Sequence, residues 1–277
     1  MAQIDKTQAD VFVGEIWSPG TIRARERAFV FPKRVKRLDF LLGKGGDVVH
    51  LPKVTNLTAN DVTLATGAFS EQAPLEVDVD VTIDKWKEAA VNIIGIVKAQ
   101  SNYDLMKEYQ GKIGYALGLQ QDTDLAGLYS AVTSQIGTSG ININEDLFLN
   151  AIQLLDEADV PESDRSFAAR PAQKRALMKI DRFVDASFTG LRDKKGPVLT
   201  GVFGEAYGVM LFFSNTLVSS SGIHNMLWHK DAFCIAMQQG IQMDKKDPSD
   251  KLASILVGST LYGVKVLRAD HAIDVLS

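Results

Sequence analysis

The sequence predicts an α+β fold, and three observations carry that prediction. Residues 75–86, LEVDVDVTIDKW, alternate apolar and polar side chains at the period of a strand. Residues 102–136 repeat apolar side chains at every third or fourth position, the period of a helix. From Trp228 to the last residue, β-prone runs alternate with polar turns.

The elements follow in order. Residues 1–40 mix short apolar runs with Pro19, Gly20 and Pro32 and keep no period for more than a turn or two, which predicts an extended arm. The stretch from Arg23 to Lys44 is basic: Arg23, Arg25, Arg27, Lys33, Arg34, Lys36, Arg37 and Lys44 stand against Glu26 and Asp39. Two β-rich runs come next, GDVVHLPKVTNLTANDVTLATG and EQAPLEVDVDVTIDKW, separated by a polar stretch with Gly67, Ser70 and Pro74. They predict a long hairpin. Arms of about a dozen residues at ~3.3 Å each reach roughly 40 Å, whereas a compact chain of this size has a radius of gyration of only ~19 Å.

In the second arm Val77, Val79, Val81 and Ile83 share one face, and Asp78, Asp80, Thr82 and Asp84 share the other. Pro52 lacks a backbone donor and places the first arm at a sheet edge, while the aspartates discourage indiscriminate edge pairing. Two readings fit: a projecting strand whose partner is chosen by charge, or a half-buried edge strand with one solvated face.

Leu105, Tyr109, Ile113 and Ala116, continued by Leu125, Leu128, Val132 and Ile136, predict one long amphipathic helix, straight or bent, capped by Asn102 with Asp104 in its first turn. Gly111, Gly114, Gly118 and Gly127 each cost up to ~1 kcal/mol there, so they mark close packing or a kink. GTSGIN at 137–142 breaks the pattern. A helix capped by Asn144 and stopped by Pro161 follows, then a short strand RSFAAR and a helix with Pro171 at its first position. Next comes a glycine-punctuated strand pair, GPVLTGVFGEAYGVMLFFSNTL.

Composition bounds the chemistry. At 277 residues, 45% hydrophobic and 23% charged, the chain has enough apolar material for a sizeable core. Its apolar runs fall short of the ~18 residues that a membrane span needs, and no secretory signal is visible at the N-terminus, so no membrane association is expected. One cysteine, Cys234, excludes an intrachain disulfide and reads as a small buried hydrophobe. The net charge of −4 is too mild for a general nucleic-acid role.

No G-x-G-x-x-G, G-x-x-x-x-G-K-[ST] or G-x-S-x-G occurs, so the common nucleotide and hydrolase signatures are missing, and no cofactor is expected. His224 and His229 in HNMLWH have no adjacent carboxylate to complete a metal site. Asp78, Asp80 and Asp84 point to an open face instead of a cleft, which favours an electrostatic surface over acid and base catalysis.

The order of elements, basic arm, projecting hairpin, long helix, small α/β unit and closing strands, resembles the major capsid proteins of tailed bacteriophages with the Hong Kong 97-type fold. NYDLMKEYQGKIGYALG resembles that family's spine helix, LNAIQLLDEADVPESDRSFAARPAQKRALMK the opening of its A-domain, and SILVGSTLYGVKVLRADHAIDVL its closing strands. The resemblance implies an N-terminal arm at 1–45, an E-loop hairpin at 46–84, a P-domain with the spine helix at 85–138, an A-domain at 139–226 and returning P-domain strands at 227–277. It further implies a non-enzymatic virion protein, assembled in the host cytoplasm into hexamers and pentamers of an icosahedral shell. Such a shell encloses double-stranded DNA without reading its sequence.

Partners implied are further copies, a scaffolding protein, a portal and a decoration protein. Some family members cross-link through a lysine, an asparagine and a glutamate; no residue here matches that trio, and cross-linking is not expected. The candidate contact residues are Asp78, Asp80 and Asp84 on the hairpin, facing Arg23, Arg25, Arg34, Lys36 and Arg37 of a neighbouring arm. Three alternatives stay open: an encapsulin compartment sharing the fold, a monomeric α/β enzyme built around Glu205, Tyr207 and His229, and a tail or adaptor protein forming rings.

Overall fold

A computed structural model describes residues 29–39, 46–53, 57–62, 71–73, 77–94, 105–180, 204–248 and 252–277. Three sheets and three helices make up the described structure. Strands β1 (Lys36–Arg37), β4 (Lys85–Ile94), β10 (Phe233–Lys246) and β11 (Ala253–Val266) form a four-stranded sheet in the order β1-β10-β11-β4. Strands β2 (Val48–Lys53) and β3 (Val77–Thr82) form a two-stranded sheet. The third sheet has six strands, with β5 (Ser134–Gly137), β6 (Arg165–Ala169), β7 (Glu205–Ala206), β8 (Val209–Phe213), β9 (His224–His229) and β12 (Ala272–Leu276) in the order β5-β12-β9-β6-β8-β7.

Helix α1 (Leu105–Ala126) lies across the four-stranded sheet. Ile113 and Leu117 pack on Leu256, Ala89 and Val91. At Gly258 a Cβ would overlap Ile113, so glycine there lets helix and sheet close up. Gly118 plays a matching part on the helix: a Cβ would stand 2.6 Å from the ring of Phe29, which stacks on Tyr115 at 5.5 Å.

Two expectations for this helix need correction. The helix stops at Ala126, passes through a 3-10 turn at Gly127–Ala131, and Ile136 belongs to β5. Tyr109 and Ala116 face solvent, while Gln121 and Asp122 are buried with Ile113, Leu117 and Leu125. Apolar letters alone misplace the inner face because it holds two polar side chains with internal partners. Gln121 Nε2 donates to Thr260 Oγ1 at 3.3 Å.

Helix α2 (Glu145–Glu157) starts as expected: Asn144 Oδ1 accepts from Leu147 N–H at 2.8 Å, with Glu145 and Asp146 at the electropositive end. Its Phe148, Ala151 and Leu155 join Phe167, Leu227, Ile273 and Val275 in the core of the six-stranded sheet. The short α3 (Pro171–Leu177) begins at a proline whose missing donor costs nothing there. Between β7 and β8 the chain reverses through Tyr207 and Gly208, both with positive φ, the turn that matches strand twist.

The expected arm is described only from Phe29. Its root is pinned by Asp122, which is 1% exposed. Asp122 Oδ1 accepts from the backbone N–H groups of Val30 and Phe31 at 3.0 and 2.9 Å. Its other oxygen accepts from Thr216 Oγ1 at 2.8 Å and lies 3.5 Å from Ser214 Oγ. Phe31 then stacks on Trp228 at 4.9 Å, and Trp228 Nε1 donates to the Arg34 carbonyl at 3.0 Å. Among the described residues no helix is long and apolar enough to cross a membrane. Burial pushes the Cys234 thiol up to about 12, which keeps it protonated at neutral pH.

Two outcomes follow from these contacts. Asp122→Ala leaves buried donors without an acceptor, each costing about 1–3 kcal/mol. Chemical denaturation should therefore show a loss of about 3 kcal/mol or more, and Asp122→Asn a smaller one. His271 is 7% exposed, and burial holds its pKa below the ordinary 6.5. A depressed histidine contributes stability above its unfolded pKa and loses it as pH falls through the folded value. Stability should thus fall on acidification below pH 6.5, and His271→Gln should flatten that part of the profile measured by denaturation across pH.

Candidate inter-subunit surface

The register of β2 on β3 pairs Val49 with Val81, Leu51 with Val79, His50 with Asp80 and Pro52 with Asp78. One face of the hairpin is therefore apolar. Val49 and Val81 are buried against Leu38, Cys234 and Ala236, with Leu51 and Leu267 beside them. The other face carries the aspartates into solvent, where Asp80 Oδ1 meets His50 Nδ1 at 2.6 Å. Asp78 is exposed.

The stretch 75–86 does not run as one arm to Trp86. Strand β3 ends at Thr82, and β4 starts at Lys85 in a different sheet. Ile83 N–H donates to the Asp47 carbonyl at 2.8 Å, closing the hairpin base. At Gly263 a Cβ would overlap the Thr82 carbonyl, so the corner needs a glycine beneath it. Asp84 falls in this corner and lines an open cleft of about 420 Å³ with Lys85, Asp124 and Lys265. It is thus set apart from Asp78 and Asp80.

The basic candidates are divided as well. Arg23 and Arg25 lie outside the described residues. Arg34 places its guanidinium over the Phe212 ring at 4.9 Å. Lys36 Nζ reaches Asp231 at 3.4 Å. Arg37 donates through Nε and a terminal nitrogen to Asp39 Oδ2 at 2.9 and 2.6 Å, and Asp39 Oδ1 accepts from Met237 N–H at 2.9 Å. Within one chain none of these three is paired with Asp78, Asp80 or Asp84, among the described residues. Sequence reading passed over Lys53 and Arg268, which line a cleft beside Lys36. Their distance along the chain concealed the grouping.

Strand β4 borders the four-stranded sheet, and among the described strands its outer edge is unpaired. It exposes Trp86 at 75% and Ile94 at 56%. Tryptophan is a side chain that often anchors protein contacts.

The residues of the enzyme alternative do not converge. Glu205 and Tyr207 sit at the outer β7 end of the six-stranded sheet, with β8 and β6 between them and β9, which carries His229. Tyr207 donates its hydroxyl to Glu145 Oε1 at 2.8 Å. His224 is buried with Nδ1 2.7 Å from Asp274 Oδ2, an oxygen that also accepts from Gln135 Nε2 at 2.7 Å. Among the described residues no three metal-ligating side chains gather.

No family model and no curated protein matches the sequence. Solved structures do match. A structure from Mycobacterium phage Che8 superposes with a TM-score of 0.82 at 22% identity, over 95% of this chain and 97% of that one. The capsid structure of the cyanophage P-SCSP1u gives 0.79 at 17% identity, over 97% and 94%. The mature capsid of bacteriophage PhiM1 gives 0.71 at 13% identity, over 95% and 91%. With nearly full coverage in both directions, the chain has the fold of these phage structures, two of them capsids, in keeping with the Hong Kong 97-type fold that its sequence resembles.

Proposed function

We propose that this chain is a major capsid subunit, closing with its copies into the hexamers and pentamers of an icosahedral shell around phage double-stranded DNA. The observation that carries the reading is the end-to-end match to capsid structures, with coverage above nine tenths of each chain. The surface supports it. Among the described strands β4 has an unpaired edge bordered by the exposed Trp86 and Ile94, and the aspartate face of β3 is open to solvent. Neighbouring copies would cover both.

In this proposal the segments 1–45, 46–84, 85–138, 139–226 and 227–277 act as arm, E-loop, P-domain, A-domain and returning P-domain strands. The acidic hairpin face, led by Asp78 and Asp80, meets basic side chains of an adjacent copy. A single exposed ion pair contributes about 0–1 kcal/mol, but closed symmetry repeats the contact throughout the shell. A net charge of −4 also keeps the wall from binding its polyanionic cargo tightly. Scaffolding, portal and decoration proteins belong to the same proposal.

Sedimentation velocity with negative-stain imaging tests it, first on the chain alone and then co-expressed with its scaffolding protein. Closed shells, or rings that grow into shells, are expected in at least one condition. A monomer under both would contradict the proposal. Asp78→Lys with Asp80→Lys should abolish particles while leaving the circular dichroism of the subunit unchanged; normal shells would sink the role of the acidic face.

A further inference from the structure

Beside the hairpin root lies a cleft of about 330 Å³ lined by Lys36, Lys53, Arg268 and Asp231, over Leu51, Pro52, Val79 and Leu267. Three cations face one carboxylate, and that carboxylate is within 3.4 Å of Lys36. Among the described residues Lys53 and Arg268 have no carboxylate partner; Arg268 has only the neutral-facing contact of a terminal nitrogen 3.5 Å from His271 Nε2. The cleft thus combines an apolar floor with uncompensated positive charge. Its chemistry suits a segment that alternates small apolar side chains with carboxylates.

This chain supplies such a segment. Strand β3 reads VDVDVT, and Asp78 is exposed, with no cationic partner among the described residues. We infer that the Lys53–Arg268 cleft receives the Asp78 carboxylate of a second copy. This rests on the shell reading and replaces Arg34 and Arg37, which are engaged within their own chain, by Lys53 and Arg268 as the receiving cations. Pro52 lines the cleft and stands opposite Asp78 in the hairpin register, so donor and receptor share one root. Repeated head to tail around a ring of copies, the contact lets each copy offer one carboxylate and receive one. Charge fixes its register, and the apolar floor excludes water from the pair.

Charge exchange tests the pairing in full-length protein, assembled with scaffolding protein if the unaltered chain requires it. Lys53→Glu with Arg268→Glu, and separately Asp78→Lys, should each cut particle yield by about tenfold or more, and the triple variant should recover it to within about twofold. All three residues are exposed, so circular dichroism and melting of the subunit should not change. Lys53→Gln with Arg268→Gln, which adds no repulsion, should give an intermediate yield. Undiminished yield from both reversal variants overturns the cleft while the shell reading stands. Failure of the triple variant to recover also overturns it. Normal yield with reduced nucleic-acid content in Lys53→Glu, Arg268→Glu particles assigns the cleft to phosphates and overturns it as well. No particles from the unaltered chain under any condition overturns the shell reading itself.

Discussion

A single buried carboxylate joins three separate parts of this chain. Asp122 projects from near the C-terminal end of the long helix, takes two backbone amides from the arm root with one oxygen, and holds the Ser214–Thr216 turn beyond β8 with the other. Its burial is tolerable only because every side of it is met by a donor. The arm root then continues through Phe31 on Trp228 into β1 beside β10. Helix, four-stranded sheet and six-stranded sheet are thereby tied at one place, and the hairpin rests on that tied body through Val49 and Val81.

In the proposed shell, a subunit has to present its contacts from a rigid frame, since each misplacement is repeated in every copy. The frame here uses close approach as much as apolar burial. Gly118 admits the Phe29 ring, Gly258 admits Ile113, and Gly263 admits the Thr82 carbonyl. The polar side of the frame is equally internal. Tyr262 donates to Asp124 at 2.7 Å, and burial together with that carboxylate pushes the phenol's pKa upward, so it remains a donor. Lys85 Nζ stands 3.6 Å from the same carboxylate and ties β4 to the helix. Outside this frame, the aspartates of β3 and the indole of Trp86 are left to solvent.

Local features of this design were legible in the sequence. The valine and aspartate faces of β3, the edge character of Pro52, the Asn144 cap and the Pro171 helix start all depend on near neighbours in the chain, where spacing determines geometry. Asp122 was not legible, because a polar residue in an amphipathic helix looks like part of the solvated face until its distant donors are known. The corner at Ile83 and Asp84 was hidden by an alternation that continues unbroken while the strand changes sheets. The helix end at Ala126 had one signal, Gly127, which read equally well as a packing site. Lys53 and Arg268 meet only through the tertiary fold. The order of elements carries the family resemblance, and the charge pattern draws notice to the arm, of whose cations Arg34, Lys36 and Arg37 are engaged within the chain.

In the proposed assembly the body is complete within one subunit while the hairpin is completed by another. Hydrogen exchange by mass spectrometry, on dissociated subunits and on assembled particles, tests it most directly. The amides of Val30 and Phe31 should be equally protected in both states, because Asp122 already holds them, whereas protection across 77–82, partial in the free subunit because β3 already pairs with β2, should rise on assembly. Equal protection of 77–82 in the free subunit, or arm-root amides that are protected only in particles, would contradict the account.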